Sequence, residues 1–277
     1  MQPADIPFAT RLTNLEGWGI PASDFRRILR LDQRGGFVAL NGRERVGIAT
    51  TTRYGRRIGW IGNVVVKKQY RQRHIGQRLV EHAINHLAKA HVRNIVLYCF
   101  KENVPFYRKL GFVQGPRFVR LRREAERNLP TRSSEGSSKS LTVSSVFALD
   151  KKAFGADRRK LITTLLNEGF AWYIGYQAGD SASYVLVKSY DDMNEIGPWI
   201  SFGLDSREKS SLLEHVIRRS GRKPIEVTCP LTNGHAIRMM MQHNFHTINE
   251  GRVMFFKHMA GIGRPRAIVA YGFLDKG

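Results

Sequence analysis

The clearest signal in the sequence lies between Trp60 and Val80, which read WIGNVVVKKQYRQRHIGQRLV. The first seven residues are mostly apolar and rich in β-branched side chains, which predicts a buried strand. From Ile75 onward, apolar residues recur at spacings of three and four, which is typical of an amphipathic helix. A basic turn joins the two. The segment therefore predicts a buried strand that leads through a basic turn into a helix.

This strand–turn–helix segment favours a phosphate site. The first turn of a helix leaves backbone N–H groups without partners and carries the positive end of the helix dipole, so it attracts anions. Gly76 has no Cβ to keep a phosphate from the backbone, and Arg71, Arg73 and Arg78 add positive charge. The alternative interpretation is an exposed basic helix start in which Gly76 serves only packing.

Further strands and helices are predicted on both sides of this segment. In the first half, strands are expected at 36–40, 45–52, 59–66, 94–100 and 118–122, with helices at 75–90 and 105–110. In the second half, strands are expected at 171–176, 183–188 and 224–229, with helices at 206–220 and 236–243. This order predicts an α/β fold with a mixed sheet.

The two halves share a short internal repeat. Cys99 precedes Asn103 by four residues, and Cys229 precedes Asn233 by four. Each pair lies between a predicted strand and a short helix, and a phenylalanine follows each helix, at Phe112 and Phe245. Together with the shared order of elements, the repeat predicts a duplicated domain.

Length and charge support two domains. The chain has 277 residues and a net charge of +22, of which +16 falls within residues 1–130. Residues 131–140 are rich in serine, which is typical of a linker. We expect domains at 1–130 and 141–277. A chain this basic attracts anions such as nucleic acid, anionic membranes or phosphate-rich small molecules.

Cysteine content and the lengths of apolar stretches exclude several classes of protein. Two cysteines exclude a disulfide scaffold and a cysteine-based zinc ribbon. No apolar stretch approaches the roughly 18 residues that span a bilayer, so no membrane partner is expected. The N-terminus lacks the long apolar core of a signal peptide, and we therefore expect a reducing, cytoplasmic location.

Two motifs resemble those of the GNAT N-acetyltransferase superfamily. Residues 64–66 (VVV) and 70–79 (YRQRHIGQRL) are similar to its acyl-CoA-binding signature, Gln/Arg-x-x-Gly-x-Gly/Ala, with Arg71 at the first position and Gly76 at the last. His74 departs from the signature, because a glycine is usual at that position. Residues 105–112 (PFYRKLGF) resemble the superfamily's Tyr-x-x-x-Gly-Phe ending. The two motifs lie at the spacing that the superfamily shows.

The resemblance implies acetyl-CoA as acyl donor and assigns its site. Tyr107 would lie beside the thioester sulfur as the catalytic acid, and the backbone N–H groups of the strand at 64–66 would polarise the thioester carbonyl. Asn103 precedes Tyr107 by only four residues, where the superfamily often has an asparagine about seven before. The implied acetyl-CoA-binding residues are Val64, Val65, Val66, Arg71, Gln72, Arg73, His74, Ile75, Gly76, Gln77, Arg78, Asn103, Phe106 and Tyr107.

Weaker likenesses extend the resemblance over most of the chain. Residues 16–18 (EGW) and 266–277 resemble a subfamily in which a catalytic GNAT domain is followed by a degenerate one. The second half has no glycine at the start of its helix, between Ser206 and Leu213, and it has Met240 where the first half has Tyr107. We expect this half to bind no acyl-CoA and instead to complete the acceptor pocket.

The general base and the acceptor stay open. No Asp or Glu occurs between Gly59 and Tyr70, so the base is a water chain, a carboxylate from elsewhere such as Glu16 or Asp24, or absent. The leading hypothesis is direct acetyl transfer to the primary amine of an unidentified acceptor, acidic or macromolecular. The alternative is a non-catalytic protein that senses acyl-CoA or binds RNA.

Other features carry less chemistry. His82 and His86 have the i, i+4 spacing of a metal pair, but no third ligand is evident and no metal is expected. Cys99 and Cys229 fall on predicted buried strands, which favours structural thiols. Residues 53–57 and 117–123 interleave aromatic and arginine residues, so either stretch is a nucleic-acid patch or a solvated basic surface.

Overall fold

The computed structural model describes residues 1–125, 141–259 and 261–277. The chain forms two compact units. The first comprises Met1–Gly115, Val253–Ala260 and Leu274–Gly277, and the second comprises Pro116–Arg252 and Gly261–Phe273. The predicted linker, residues 131–140, lies outside the described residues, and the predicted domain bounds stay a prediction.

Helices and strands are interspersed along the chain. The helices are α1 (Ile6–Asn14), α2 (Ala22–Leu31), α3 (Ile75–Lys89), α4 (Val104–Lys109), α5 (Val143–Phe154), α6 (Arg159–Asn167), α7 (Ser206–Ser220) and α8 (Gly234–Gln242). The strands are β1 (Gly36–Asn41), β2 (Glu44–Tyr54), β3 (Ile58–Val66), β4 (Asn94–Phe100), β5 (Phe112–Arg123), β6 (Ala171–Ala178), β7 (Ser181–Ser189), β8 (Asn194–Phe202), β9 (Ile225–Pro230), β10 (His246–Phe256) and β11 (Ile268–Ala270). This confirms the predicted α/β class with a mixed sheet.

In the first unit, β1, β2, β3 and β4 lie in that order, and β10 lies next to β4. The first three strands are antiparallel, and β4 is parallel to β3 after the crossover helix α3. Helices α1 and α2 pack on β2 and β3 through Phe25, Ile28 and Ile48. Helix α3 packs separately against β3 and β4. Because the central strands are covered on both faces, they read as nearly continuous apolar runs.

In the second unit, the strand order is β5, β9, β8, β7, β6. Strand β9 is parallel to β8, and the other neighbouring pairs are antiparallel. The core joins α7, through Leu213 and Val216, to Trp199 of β8 and Met240 of α8. Helix α7 begins with a capping box between Asp205 and Glu208, which explains why its bounds follow the sequence pattern.

The two units repeat one arrangement, as the sequence predicts. In the first, β3 and β4 pair in parallel only from Ile58 and Asn94 to Trp60 and Val96. In the second, β8 and β9 pair in parallel only from Asn194 and Ile225 to Ile196 and Val227. Each pair is then followed by a helix that begins after an asparagine, at Asn103 and Asn233.

Several elements were not predicted. Helices α1, α2, α5 and α6 and strands β8, β10 and β11 have no counterpart in the sequence assignment. Strand β5 begins at Phe112, six residues before its predicted start. No helix within the described ranges has both the length and the apolar character to cross a bilayer.

Candidate functional site

The first unit opens a gap between two parallel strands. Pairing between β3 and β4 ends at Trp60 and Val96, although β3 continues to Val66 and β4 to Phe100. Backbone groups that face such a gap lack strand partners and require a ligand or water. The gap therefore exposes hydrogen-bonding backbone of β3 beside Val64–Val66, the residues that the sequence assigns to the thioester.

A β-bulge shapes this part of β3. Residues Asn63 and Val64 together lie opposite Ala49 of β2, and Asn63 has a left-handed backbone (φ 52°). The extra residue shifts the alternation of side chains by one position. Ile61 consequently packs with α3, whereas Val65, four residues later, packs with α1 and α2. Bulges of this kind re-aim side chains and backbone groups beside active sites.

The basic turn and the start of α3 lie at the end of β3. The Arg71 Nε donates to the carbonyl of Val66 at 3.0 Å, and its guanidinium pairs with Glu16. Gln72 and His74 both have positive φ, and His74 is the residue before α3. The Nδ1 of its ring lies 3.2 Å from Oε1 of Gln77, so the imidazole folds over the first turn of α3.

The N–H groups of this turn are suited to an anion. The first backbone bond of α3 runs from the Arg78 N–H to the His74 carbonyl at 3.0 Å. The N–H groups of Ile75, Gly76 and Gln77 therefore precede the helical hydrogen-bond ladder. Exposed guanidinium groups surround them, including Arg73, which lies over the Tyr70 ring at 5.3 Å.

The surroundings of Gly76 separate the two interpretations of this glycine. A Cβ at Gly76 would lie 3.6 Å from Phe106 and 3.8 Å from Val66, which is ordinary van der Waals contact. The packing of the protein alone thus tolerates a side chain there. The same contacts bring three of the predicted acetyl-CoA residues, Val66, Gly76 and Phe106, into one place.

Asn103 is exposed before α4, and its side chain does not cap that helix.

Tyr107 lies in the apolar cluster that borders the gap. It is 9% exposed and packs edge-on against Phe106 and Phe112, at 5.0 and 5.8 Å between ring centroids. The same cluster contains Ile61 of β3 and Cys99 of β4. Within the described ranges, the Tyr107 hydroxyl has no hydrogen-bond partner. A tyrosine that serves packing alone normally satisfies its hydroxyl, so this one is available to a ligand.

The environment of Tyr107 keeps its hydroxyl protonated. Burial raises the pKa of the phenol well above its usual value of 10, and the nearby Cys99 thiol raises it further. The phenol therefore stays a hydrogen-bond donor across physiological pH. Of the two thiols, burial raises the pKa of Cys229 to about 12, as expected for a structural cysteine.

Both carboxylates considered as bases are engaged. Glu16 is paired with Arg71. Asp24 is buried and pairs with Arg27 and, at 3.6 Å, with the ammonium of Lys276. Burial alone would lower the pKa of Lys276, but Asp24 and Asp275 more than offset this and raise it. Lys276 therefore stays charged.

A third carboxylate, which the sequence did not indicate, lies beside the bulge. Asp275 Oδ2 accepts a hydrogen bond from Asn63 Nδ2 at 3.2 Å and forms an ion pair with Lys276 Nζ at 2.7 Å. Its side chain is 19% exposed. The backbone of Asp275 packs directly on Gly62, where a Cβ would overlap its carbonyl oxygen. The Tyr54 hydroxyl donates to the Lys276 carbonyl at 2.6 Å, which further fixes the segment Leu274–Gly277 on β3.

The corresponding gap in the second unit is filled by its own chain. Strand β11 pairs with β8 through Ile268 and Ala270, opposite Ile200 and Trp199. The N–H of Tyr271, the next residue, donates to the Thr228 carbonyl of β9 at 2.8 Å. Backbone groups of β8 and β9 that would face a ligand are thus used within the protein. Met240, the counterpart of Tyr107, is fully buried in the core.

The histidine pair on α3 contacts neighbouring side chains of the first unit. His86 Nε2 lies 2.9 Å from the buried Asp32, and both His82 and His86 pack edge-on against Phe37. In the part of the chain that the structure describes, no cluster of three His, Cys, Asp or Glu residues could hold a metal ion.

Comparison with known proteins agrees with this geometry. The Acetyltransferase (GNAT) family model matches residues 9–112, and an Acetyltransferase (GNAT) domain model matches residues 146–262. No curated protein sequence matches the chain.

Solved structures share the fold over most of the chain. A proposed acetyltransferase from Pyrococcus horikoshii superposes with a TM-score of 0.83 at 22% identity, covering 100% of this chain and 94% of that one. A GCN5-related N-acetyltransferase from Sphaerobacter thermophilus gives 0.69 at 14% identity, covering 95% and 96%. One from Kribbella flavida gives 0.56 at 15%, covering 92% and 70%. The TM-scores show a common fold, and identities this low show the fold alone. With two GNAT models in tandem, the chain belongs to the GNAT acetyltransferase superfamily.

Proposed function

We propose that the protein is an N-acetyltransferase that moves the acetyl group of acetyl-CoA directly to a primary amine. The parting of β3 and β4 beyond Trp60 and Val96 carries this proposal, because it leaves strand backbone unpaired between the anion-binding turn and Tyr107. The turn would hold the pyrophosphate, with its N–H groups at 75–77 and the arginines around them.

The chemical step needs only groups of the first unit. The amine nitrogen attacks the thioester carbonyl carbon, the C–N bond forms and the C–S bond breaks. Backbone N–H groups at Val64–Val66 stabilise the oxyanion, and the Tyr107 hydroxyl gives its proton to the departing thiolate. Tyr107 then regains a proton from solvent. No covalent acyl-enzyme is required.

Asp275 is our candidate for the group that receives the amine proton. All three carboxylates are ion-paired, Asp275 with Lys276, Glu16 with Arg71 and Asp24 with Arg27. Asp275 is chosen because it accepts from Asn63 at the bulge of β3.

The experiment is thiol release from acetyl-CoA with a panel of primary amines, including diamines, amino acids and lysine peptides. We expect at least one amine to accelerate release over the amine-free rate, with the acetylated amine confirmed by mass spectrometry. Asp275→Asn should lower kcat for that amine and leave acetyl-CoA binding unchanged. Acetyl-CoA binding without acceleration by any amine would refute acetyl transfer and favour an acyl-CoA sensor. We also propose a cytoplasmic location, which the sequence composition favours.

A further inference from the structure

One end of the first unit's sheet collects basic side chains. The registers of Gly36 with Thr50, Tyr54 with Ile58, and Ile58 with Asn94 bring the starts of β1, β3 and β4 and the end of β2 together. Helix α3 also ends there, because it connects the far end of β3 to the start of β4. We call this surface the basic end; its exposed residues are Arg34, Arg53, Arg56, Arg57, Lys89 and Arg93.

Backbone contacts hold these residues in fixed positions. The Arg93 N–H donates to the Arg56 carbonyl at 2.8 Å, and Asn94 Nδ2 donates to the Arg57 carbonyl at 2.8 Å. The arginines of the β2–β3 turn therefore lie beside the start of β4. Neighbouring strands are about 4.8 Å apart, so the backbone positions that carry these arginines lie close together.

The charges of the basic end are not neutralised by the protein. Some exposed basic residues of this unit do have acidic partners, such as Arg45 with Asp5 at 2.7 Å and Lys67 with Glu44 at 2.7 Å. Among the described residues, the one ion pair that a basic-end residue forms is that of Arg53 with the buried Asp32.

Asp32 is already occupied. It accepts from Arg53 at 3.1 Å, from His86 at 2.9 Å and from Thr51 at 3.2 Å. Across residues 1–125, 141–259 and 261–277, no carboxylate forms an ion pair with the other five basic residues of this surface. The basic end therefore presents unpaired positive charge to solvent.

We propose that the basic end binds the phosphate backbone of a nucleic acid. Guanidinium groups hold phosphate oxygens through paired hydrogen bonds, and several such contacts in a row match a polyanion better than a single small anion. The surface also lacks the apolar side chains that insert into a lipid interface. The large exposed apolar residues that the structure describes, such as Trp18 and Leu40, lie elsewhere.

The surface is separate from the acetyl-transfer site. It lies at the start of β3, whereas the candidate site lies at Asn63 and beyond, about 17 Å along the strand at 3.3 Å per residue. Failure of one proposal therefore leaves the other intact, since nucleic-acid binding is measured without acetyl-CoA.

The test is fluorescence anisotropy of a labelled 20-nucleotide oligouridine, with a labelled 20-base-pair RNA duplex as a second arm. The triple variant R56Q/R57Q/R93Q removes three charges from the basic end, and K101Q/R108Q/K109Q removes three exposed charges beside α4 as a matched control. For the single strand, each phosphate contact contributes about 0.7 to the slope of log affinity against log salt. We therefore expect the loss of three contacts in the first variant to reduce the magnitude of that slope by about 2. The control should change it far less. The two arms show which form is bound.

Equal slopes for both variants would overturn the proposal, because binding would then reflect the overall charge of +22 and not this surface. No binding of either RNA at 50 mM KCl would overturn it as well. The proposal would also be overturned if the protein bound phosphatidylserine vesicles but not RNA, and if the R56Q/R57Q/R93Q variant lost that vesicle binding. An unchanged melting temperature confirms that both variants fold.

Discussion

Replacement of Tyr107 by phenylalanine tests the proposed chemistry most directly. The change removes one hydroxyl and keeps the ring that packs against Phe106 and Phe112. Because no described group is hydrogen-bonded to that hydroxyl, its removal leaves no buried partner unsatisfied. We therefore expect the melting temperature and the affinity for acetyl-CoA to stay close to wild type.

The expected loss lies in kcat. General-acid assistance is worth about 10²–10⁴-fold in rate, which corresponds to about 3 to 5 kcal/mol of the barrier. The KM for acetyl-CoA should change little, because the proton is transferred only in the transition state. The assay is steady-state thiol release with an acceptor amine from the panel, together with a thermal melt of the same variant.

A matched tyrosine in the second unit provides the control. The Tyr176 hydroxyl donates to Glu208 at 2.8 Å, so Tyr176→Phe loses a hydrogen bond without touching the candidate site. This variant should keep kcat and lose a little stability. If Tyr107→Phe keeps wild-type kcat, Tyr107 is a packing residue and our assignment of the acid is wrong.

Three further predictions concern the ligand and its protonation. Gly76→Glu should abolish acetyl-CoA binding by calorimetry, because its carboxylate would oppose the pyrophosphate, whereas Gly76→Ala should fold normally, since its Cβ would lie 3.6 Å from Phe106. Calorimetry should give one acetyl-CoA per chain, because residues 268–271 fill the gap of the second unit, and two equivalent sites would contradict this. Since burial raises the pKa of Tyr107 above 10, kcat should show no loss from deprotonation of this acid below pH 10; an alkaline limb near pH 8 that Tyr107→Phe removes would contradict it.

Local patterns predicted the central elements well. Strand β4 and helix α7 have the bounds that apolar spacing indicates, and α3 ends one residue before its predicted end. These elements combine a strong apolar period with clear boundaries, such as the capping box at Asp205. Strand β8 was missed because Gly197 and Pro198 interrupt its strand pattern. Helix α5 was missed although Thr142 caps its start and Gly155 ends it.

The candidate site was predicted in part. The motifs located the turn at 71–76 and Tyr107, and the structure brings Gly76, Val66 and Phe106 together as the resemblance implies. The sequence did not reveal that Asp275 lies beside Asn63, 212 positions earlier in the chain. Nothing in the residues around Asp275 marks it as a ligand-facing carboxylate, and its position depends on how Leu274–Gly277 packs on Gly62.

Apolar periodicity, helix caps and turn residues act over a few positions, and they are enough to specify an α/β fold, its duplication and the phosphate-binding turn. The gap between β3 and β4, the left-handed bulge at Asn63 and the insertion of β11 beside β8 depend on which distant segments pair. Such pairing is governed by the packing of the whole unit, since any strand edge offers the same backbone groups to many partners. For that reason the chemistry of the first unit and the filled gap of the second became visible only in three dimensions.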